Sequence, residues 1–142
     1  MKEMMLKIKR TIRYIFYRNL NIKEQIEISE HLIEDKILCL YWKMSKADRQ
    51  HSYEVFSRTK IKSNNTNLLL LSLLHDIGKA KINAGLLFRV LTALGLIKNY
   101  KSKIYLNHEI VGLEVLKEIN ANENIVEYYN NNLLKQNKII LD

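Results

Sequence analysis

Proline is absent from this chain, glycine occurs four times and cysteine once. With so few breakers the backbone favours long helices and few sharp turns. A single cysteine cannot close a disulfide within the chain, which suits a reducing, cytosolic setting. That residue, Cys39 in Ile37-Leu38-Cys39-Leu40-Tyr41-Trp42, reads as a small buried hydrophobe. Bilayer-length apolar runs are missing as well. The longest, Leu68–Leu74 and Ala84–Ile97, are too short, and Arg89 interrupts the second. The N-terminus has basic residues but no continuous apolar stretch before a small-residue cleavage site, so no signal peptide is expected and the expected location is cytoplasmic. No segment alternates with a period of two, and no internal repeat is present. The expected fold class is all-α.

What is present is charge and hydrophobic surface in globular proportion. The 142 residues are 47% hydrophobic and 27% charged, with a net charge of +8. Much of the excess lies in residues 1–18, where Lys2, Lys7, Lys9, Arg10, Arg13 and Arg18 face only Glu3. Such a segment suits an anionic partner, including an acidic membrane surface, and equally suits a solvated helix face. No DNA- or RNA-binding motif accompanies it.

Along the chain, Met5, Ile8, Ile12, Ile15, Phe16 and Leu20 recur at helical spacing and predict an amphipathic N-terminal helix. Asn21 with Glu24 forms a capping-box signature, and residues 22–43 read as one or two helices. Ser45 and Asp48 give a second capping box, opening a helix with Ala47, His51 and Val55 on one face. The Asn64–Asn67 break precedes an apolar helix expected over about Leu68–Ile77. Ala84–Ile97 is expected to be another helix: core by default, otherwise a cover over a site, a homo-oligomer surface or a membrane-facing patch. Lys98–Lys103 reads as a basic connector. Asn107 is expected to cap a helix beginning at His108, with Gly112 one turn on, allowing a close approach. Asn120–Asn122 is a turn, and short helices are expected over about 123–130 and 133–141.

The most informative string is Leu73-Leu74-His75-Asp76-Ile77-Gly78-Lys79. An apolar run that delivers an aspartate into a core needs a cation beside it. The plain alternative is a helix that ends there, with His75 and Asp76 emerging into water and Gly78 as its cap. Of the four histidines, His51, His75 and His108 fall on separate helices at inward positions. His31, among Glu30, Glu34 and Asp35, reads as solvated. Mixed imidazole and carboxylate donors suit Mn, Fe, Zn or Mg rather than a thiolate-loving ion.

His51, then His75-Asp76-Ile77-Gly78-Lys79, then His108 followed by Gly112, resembles the HD-domain superfamily of metal-dependent phosphohydrolases. The string is similar to that of small bacterial single-domain members with the His-Asp-Ile-Gly motif. Met44–Ser52 is similar to the stretch around that family's first histidine. The resemblance covers roughly residues 20–142. It implies a multi-helix bundle, with residues 1–20 a basic appended helix and about 21–142 an HD core that is C-terminally short. By resemblance, His51, His75 and Asp76 are metal ligands, and His108 approaches a second ion or the substrate. Lys79 would contact a substrate phosphate. Asp76 and Lys79 are the candidate catalytic residues, with Arg58 a further candidate for balancing phosphoryl charge. Two departures stand out. Relatives often carry a His-His pair near the penultimate helix, a region that here reads Glu127-Tyr128-Tyr129-Asn130-Asn131-Asn132, and their distal aspartate has a counterpart only in Asp142. The implied function is metal-dependent hydrolysis of nucleotides or other small phosphate esters. The alternative is a catalytically degenerate module for interaction or signalling.

Overall fold

The computed structural model describes residues 1–3, 5, 6, 9, 16, 18–82 and 85–134. Most of the expected N-terminal helix lies outside these residues, as does Asp142 with residues 135–141. Capping chemistry sets the first boundaries. Helix α1, Ile22–His31, starts at Asn21, whose side chain accepts from Glu24 N at 2.9 Å while Glu24 returns the bond to Asn21 N at 3.2 Å. Helix α2 is Asp35–Lys43 and α3 is Lys46–Lys62, the latter capped by Ser45 Oγ. Residues 22–43 are therefore two helices. No strand occurs among the described residues.

Helix α4, Thr66–Leu74, is capped by Asn65 and stops three residues earlier than its apolar run predicts. The chain turns through His75 and Asp76 into a 3-10 segment, Ile77–Lys81, closed by Lys79 N donating to Asp76 O at 2.9 Å. The turn is what aims His75 and Asp76 inward. Both are buried, at 3% and 2% exposure, which excludes a helix end that releases them into water.

Glycine makes the next contact geometrically feasible. A Cβ on Gly78 would lie 2.0 Å from the carbonyl oxygen of His108. On Gly112 it would lie 2.3 Å from the hydroxyl of Tyr129. The 3-10 segment thus packs backbone to backbone on helix α7, His108–Glu118. The close approach foreseen at Gly112 is real, and Gly78 serves it rather than capping α4.

Helix α5, Leu86–Ala93, is shorter than its apolar run and ends before Gly95, whose φ is +74°. The stretch read as a basic connector holds a helix, α6, Tyr100–Leu106, started by an Asn99–Ser102 capping box. Asn107 holds the N-cap position of α7, as expected, but its side chain makes no capping bond there; its amide donates to Lys103 O at 2.9 Å and so serves the end of α6. Helix α8, Glu123–Tyr129, follows the turn at Asn120, and a π-helical turn, Asn130–Leu134, ends the described chain.

Helix α4 is the centre of the core, packed on α3 and α8. Ile28, Ile37, Tyr41, Phe56, Leu73, Leu74, Ile77, Leu116 and Tyr129 fill the interior. Cys39, expected inside, is exposed, because α2 turns Ile37 and Tyr41 inward instead. His31 is half-buried rather than solvated, its ring edge-on to Phe56 at 4.8 Å. Among the described residues no helix is long and apolar enough to cross a membrane.

Candidate metal centre

Three elements deliver the site. Helix α3 carries His51, the end of α4 carries His75, and the turn into the 3-10 segment carries Asp76. One donor atom from each can be chosen so that all lie within 4.8 Å of one another. The His51 and His75 ring centroids are 5.6 Å apart, with the planes tilted at 66°. The two imidazoles are therefore close enough to serve one ion together with Asp76.

Backbone carbonyls orient two of the rings. His75 Nδ1 lies 2.7 Å from Ser72 O, and His108 Nδ1 lies 3.0 Å from Tyr105 O. A nitrogen that close to a carbonyl oxygen must donate, so each ring turns Nε2 toward the cluster. Metal-bound imidazoles are commonly held in this way by their other nitrogen. Donors of this type fit Zn, Mn, Fe or Mg. His108 joins through Asp76, its Nε2 lying 2.9 Å from Oδ1.

The other oxygen of Asp76 faces a cation, with Lys79 Nζ 3.0 Å from Oδ2. Burial alone would raise the Asp76 pKa. The positive charge of Lys79 and the neighbouring His75 and His108 outweigh it and hold the carboxyl well below the usual range. Burial likewise disfavours the Lys79 ammonium, but Asp76 and Asp48 more than compensate and raise it.

Beyond this lies a pair that sequence reasoning did not assign to the site. Arg89 of α5 binds Asp48 of α3 in a fork, 3.0 Å to Oδ1 and 2.7 Å to Oδ2. Asp48 is thus not the reciprocal half of a capping box. Its carboxylate accepts from Ser45 Oγ at 2.8 Å and serves Arg89. The available signal was Arg89 itself, since an arginine inside an apolar helix requires a counter-ion. Arg89 and Lys79 both lie over the Tyr105 ring, at 5.4 and 5.7 Å from its centroid. Arg58 is exposed on α3 and enters none of these ion pairs.

The chain matches the HD domain family over residues 49–140, more than half its length. It belongs to the HD domain family. HD domains form a superfamily of metal-dependent phosphohydrolases, and the His-His-Asp group here is a candidate site for a divalent ion. The match begins two residues before His51 and leaves α1 and α2 outside it. Neither a curated protein nor a solved structure matches the chain.

Proposed function

We propose that this HD-domain chain hydrolyses phosphate esters, nucleotides or other small phosphomonoesters or diesters, with a divalent ion held by His51, His75 and Asp76. The observation that carries the reading is the convergence of those three donors beside a half-buried lysine. When bound, the ion supplies an acidified water and a Lewis acid for the phosphoryl oxygens. His51 and His75 contribute neutral nitrogen donors from two helices, which fixes the ion's place relative to α3 and α4. Asp76 contributes the anionic donor and, as a fixed acceptor, orients a water's proton. Lys79 offsets negative charge developing on the phosphoryl group. His108 steadies Asp76 from the other side. Arg58, on the exposed part of α3, is the outer candidate for a phosphate.

The test is elemental analysis of protein purified without added metal, followed by a panel of nucleotides and simple phosphate mono- and diesters. Bound metal and turnover are expected, with His75→Ala and Asp76→Ala each lowering turnover by about 100-fold or more. Protein without metal that hydrolyses nothing on the panel would overturn the reading. A second reading, a module kept for interaction or signalling, draws on one observation. Both oxygens of Asp76 already have protein partners.

A further inference from the structure

Lys79 stands between two buried carboxylates. Its Nζ is 3.0 Å from Asp76 Oδ2 and 3.8 Å from Asp48 Oδ1. The two carboxylates are not equally fixed. Arg89 grips both oxygens of Asp48, and Ser45 Oγ donates to it as well. Lys79 hangs on a flexible four-carbon stem and can swing between its partners. A divalent ion on Asp76 and an ammonium 3.0 Å from the same carboxylate repel each other strongly in a dry site. The ammonium has to yield, and an ammonium with only 13% of its side chain exposed that loses its counter-ion without gaining another is left poorly compensated. A shift on the order of 1 Å brings Lys79 within ordinary hydrogen-bond distance of Asp48. Asp48 lies three residues before His51, on the same side of α3. One helix thus offers a donor for the ion and a receiver for the cation it displaces.

We propose that Asp48 is the positioning residue that receives the Lys79 ammonium when Asp76 takes a divalent ion. Lys79 then stays in the site as a charge for substrate phosphate instead of competing for Asp76. Arg89 is the brace that keeps Asp48 in place. The inference rests on the metal-site reading above, and it concerns affinity for the ion rather than turnover.

The experiment is a double-mutant cycle on Mn2+ affinity, measured by titrating the metal-free full chain calorimetrically. Asp48→Asn is expected to weaken Mn2+ binding on the order of tenfold, because Lys79 is left with Asp76 alone. Lys79→Met is expected to tighten it by a similar factor. In the Lys79→Met background the loss caused by Asp48→Asn is expected to shrink to about threefold or less. Asp48→Glu, which keeps the carboxylate, is expected to restore most of the affinity. An equal loss from Asp48→Asn in both backgrounds would overturn the inference, since an effect on folding or long-range charge does not depend on Lys79. No Mn2+ binding by the unaltered chain would instead overturn the metal-site reading and this inference with it. Should Asp48→Asn fail to fold by circular dichroism, Asp48→Asn with Arg89→Gln replaces the pair by neutral hydrogen-bonding groups. The same cycle is then run on that background.

Discussion

At the scale of single residues, Asp76 separates chemistry from folding. Asp76→Asn keeps the size of the side chain and removes its charge, while Lys79 retains Asp48 as a partner. Helix content by circular dichroism is expected to stay near that of the parent, and metal content to fall at least about tenfold. Val55→Asp is the opposite control. Val55 is fully buried on α3, so an unpaired carboxylate there is expected to lower stability by about 3 kcal/mol or more in urea unfolding, with helix signal lost. His51, His75, Asp76 and His108 were legible in the sequence because histidines at inward helical positions and an aspartate after an apolar run are each out of place without a reason. Asp48 was not, because Ser45-Lys46-Ala47-Asp48 also spells a capping box. Half of that reading holds: Ser45 does cap Asp48 N, while the Asp48 side chain goes to a helix 41 residues away. A local pattern cannot disclose a long-range ion pair that competes for the same carboxylate.

Between elements, two small residues decide whether the 3-10 segment can lie against α7. Gly78→Ala sets a methyl against backbone, which cannot yield, and is expected to cost about 3 kcal/mol. Gly112→Ala sets a methyl against the Tyr129 hydroxyl, which can be removed. Tyr129→Phe in the Gly112→Ala background is therefore expected to regain part of the loss, although it gives up the 2.8 Å bond to Glu109 O. Midpoints of urea unfolding measure both. A second inter-element contact reports through pH. Glu27 of α1 accepts from Lys60 at 2.5 Å and from Tyr53 at 2.8 Å, both on α3. The Lys60 bond outweighs partial burial and, with Tyr53, holds the Glu27 carboxyl below its usual range. Its stabilisation is full above the unfolded glutamate value, near pH ~4.3, and is lost as pH falls through the lower folded value. Glu27→Gln is expected to cost less than about 1 kcal/mol at pH 7, since Lys60 is half exposed, and nothing at about pH 2. Helix starts were legible where Asn or Ser caps them, as at Asn21 and Ser45. Helix α6 was missed because Lys101 and Lys103 mask the Asn99–Ser102 box, and the end of α4 because an apolar run does not mark where the backbone turns.

For the molecule as a whole, the basic N-terminal segment and the buried site are separable. None of the site residues lies in residues 1–18, so deleting that segment is expected to leave metal content unchanged. Any salt-sensitive retention on anionic vesicles is expected to weaken, read by co-sedimentation at low and high ionic strength. The helical class followed from the lack of proline and of period-two patterning, and the family from one short string and its distant histidines. The arrangement of α5 over the site did not follow, because it hangs on the Arg89 fork. Within the interior, the carboxylates of Asp48 and Asp76 are matched by Lys79 and Arg89. Their formal charges cancel without help from outside. In a zinc finger the ion's binding energy is the folding energy; here the helices need no such loan. A chain made without metal is expected to give the same helix signal by circular dichroism as one made with it.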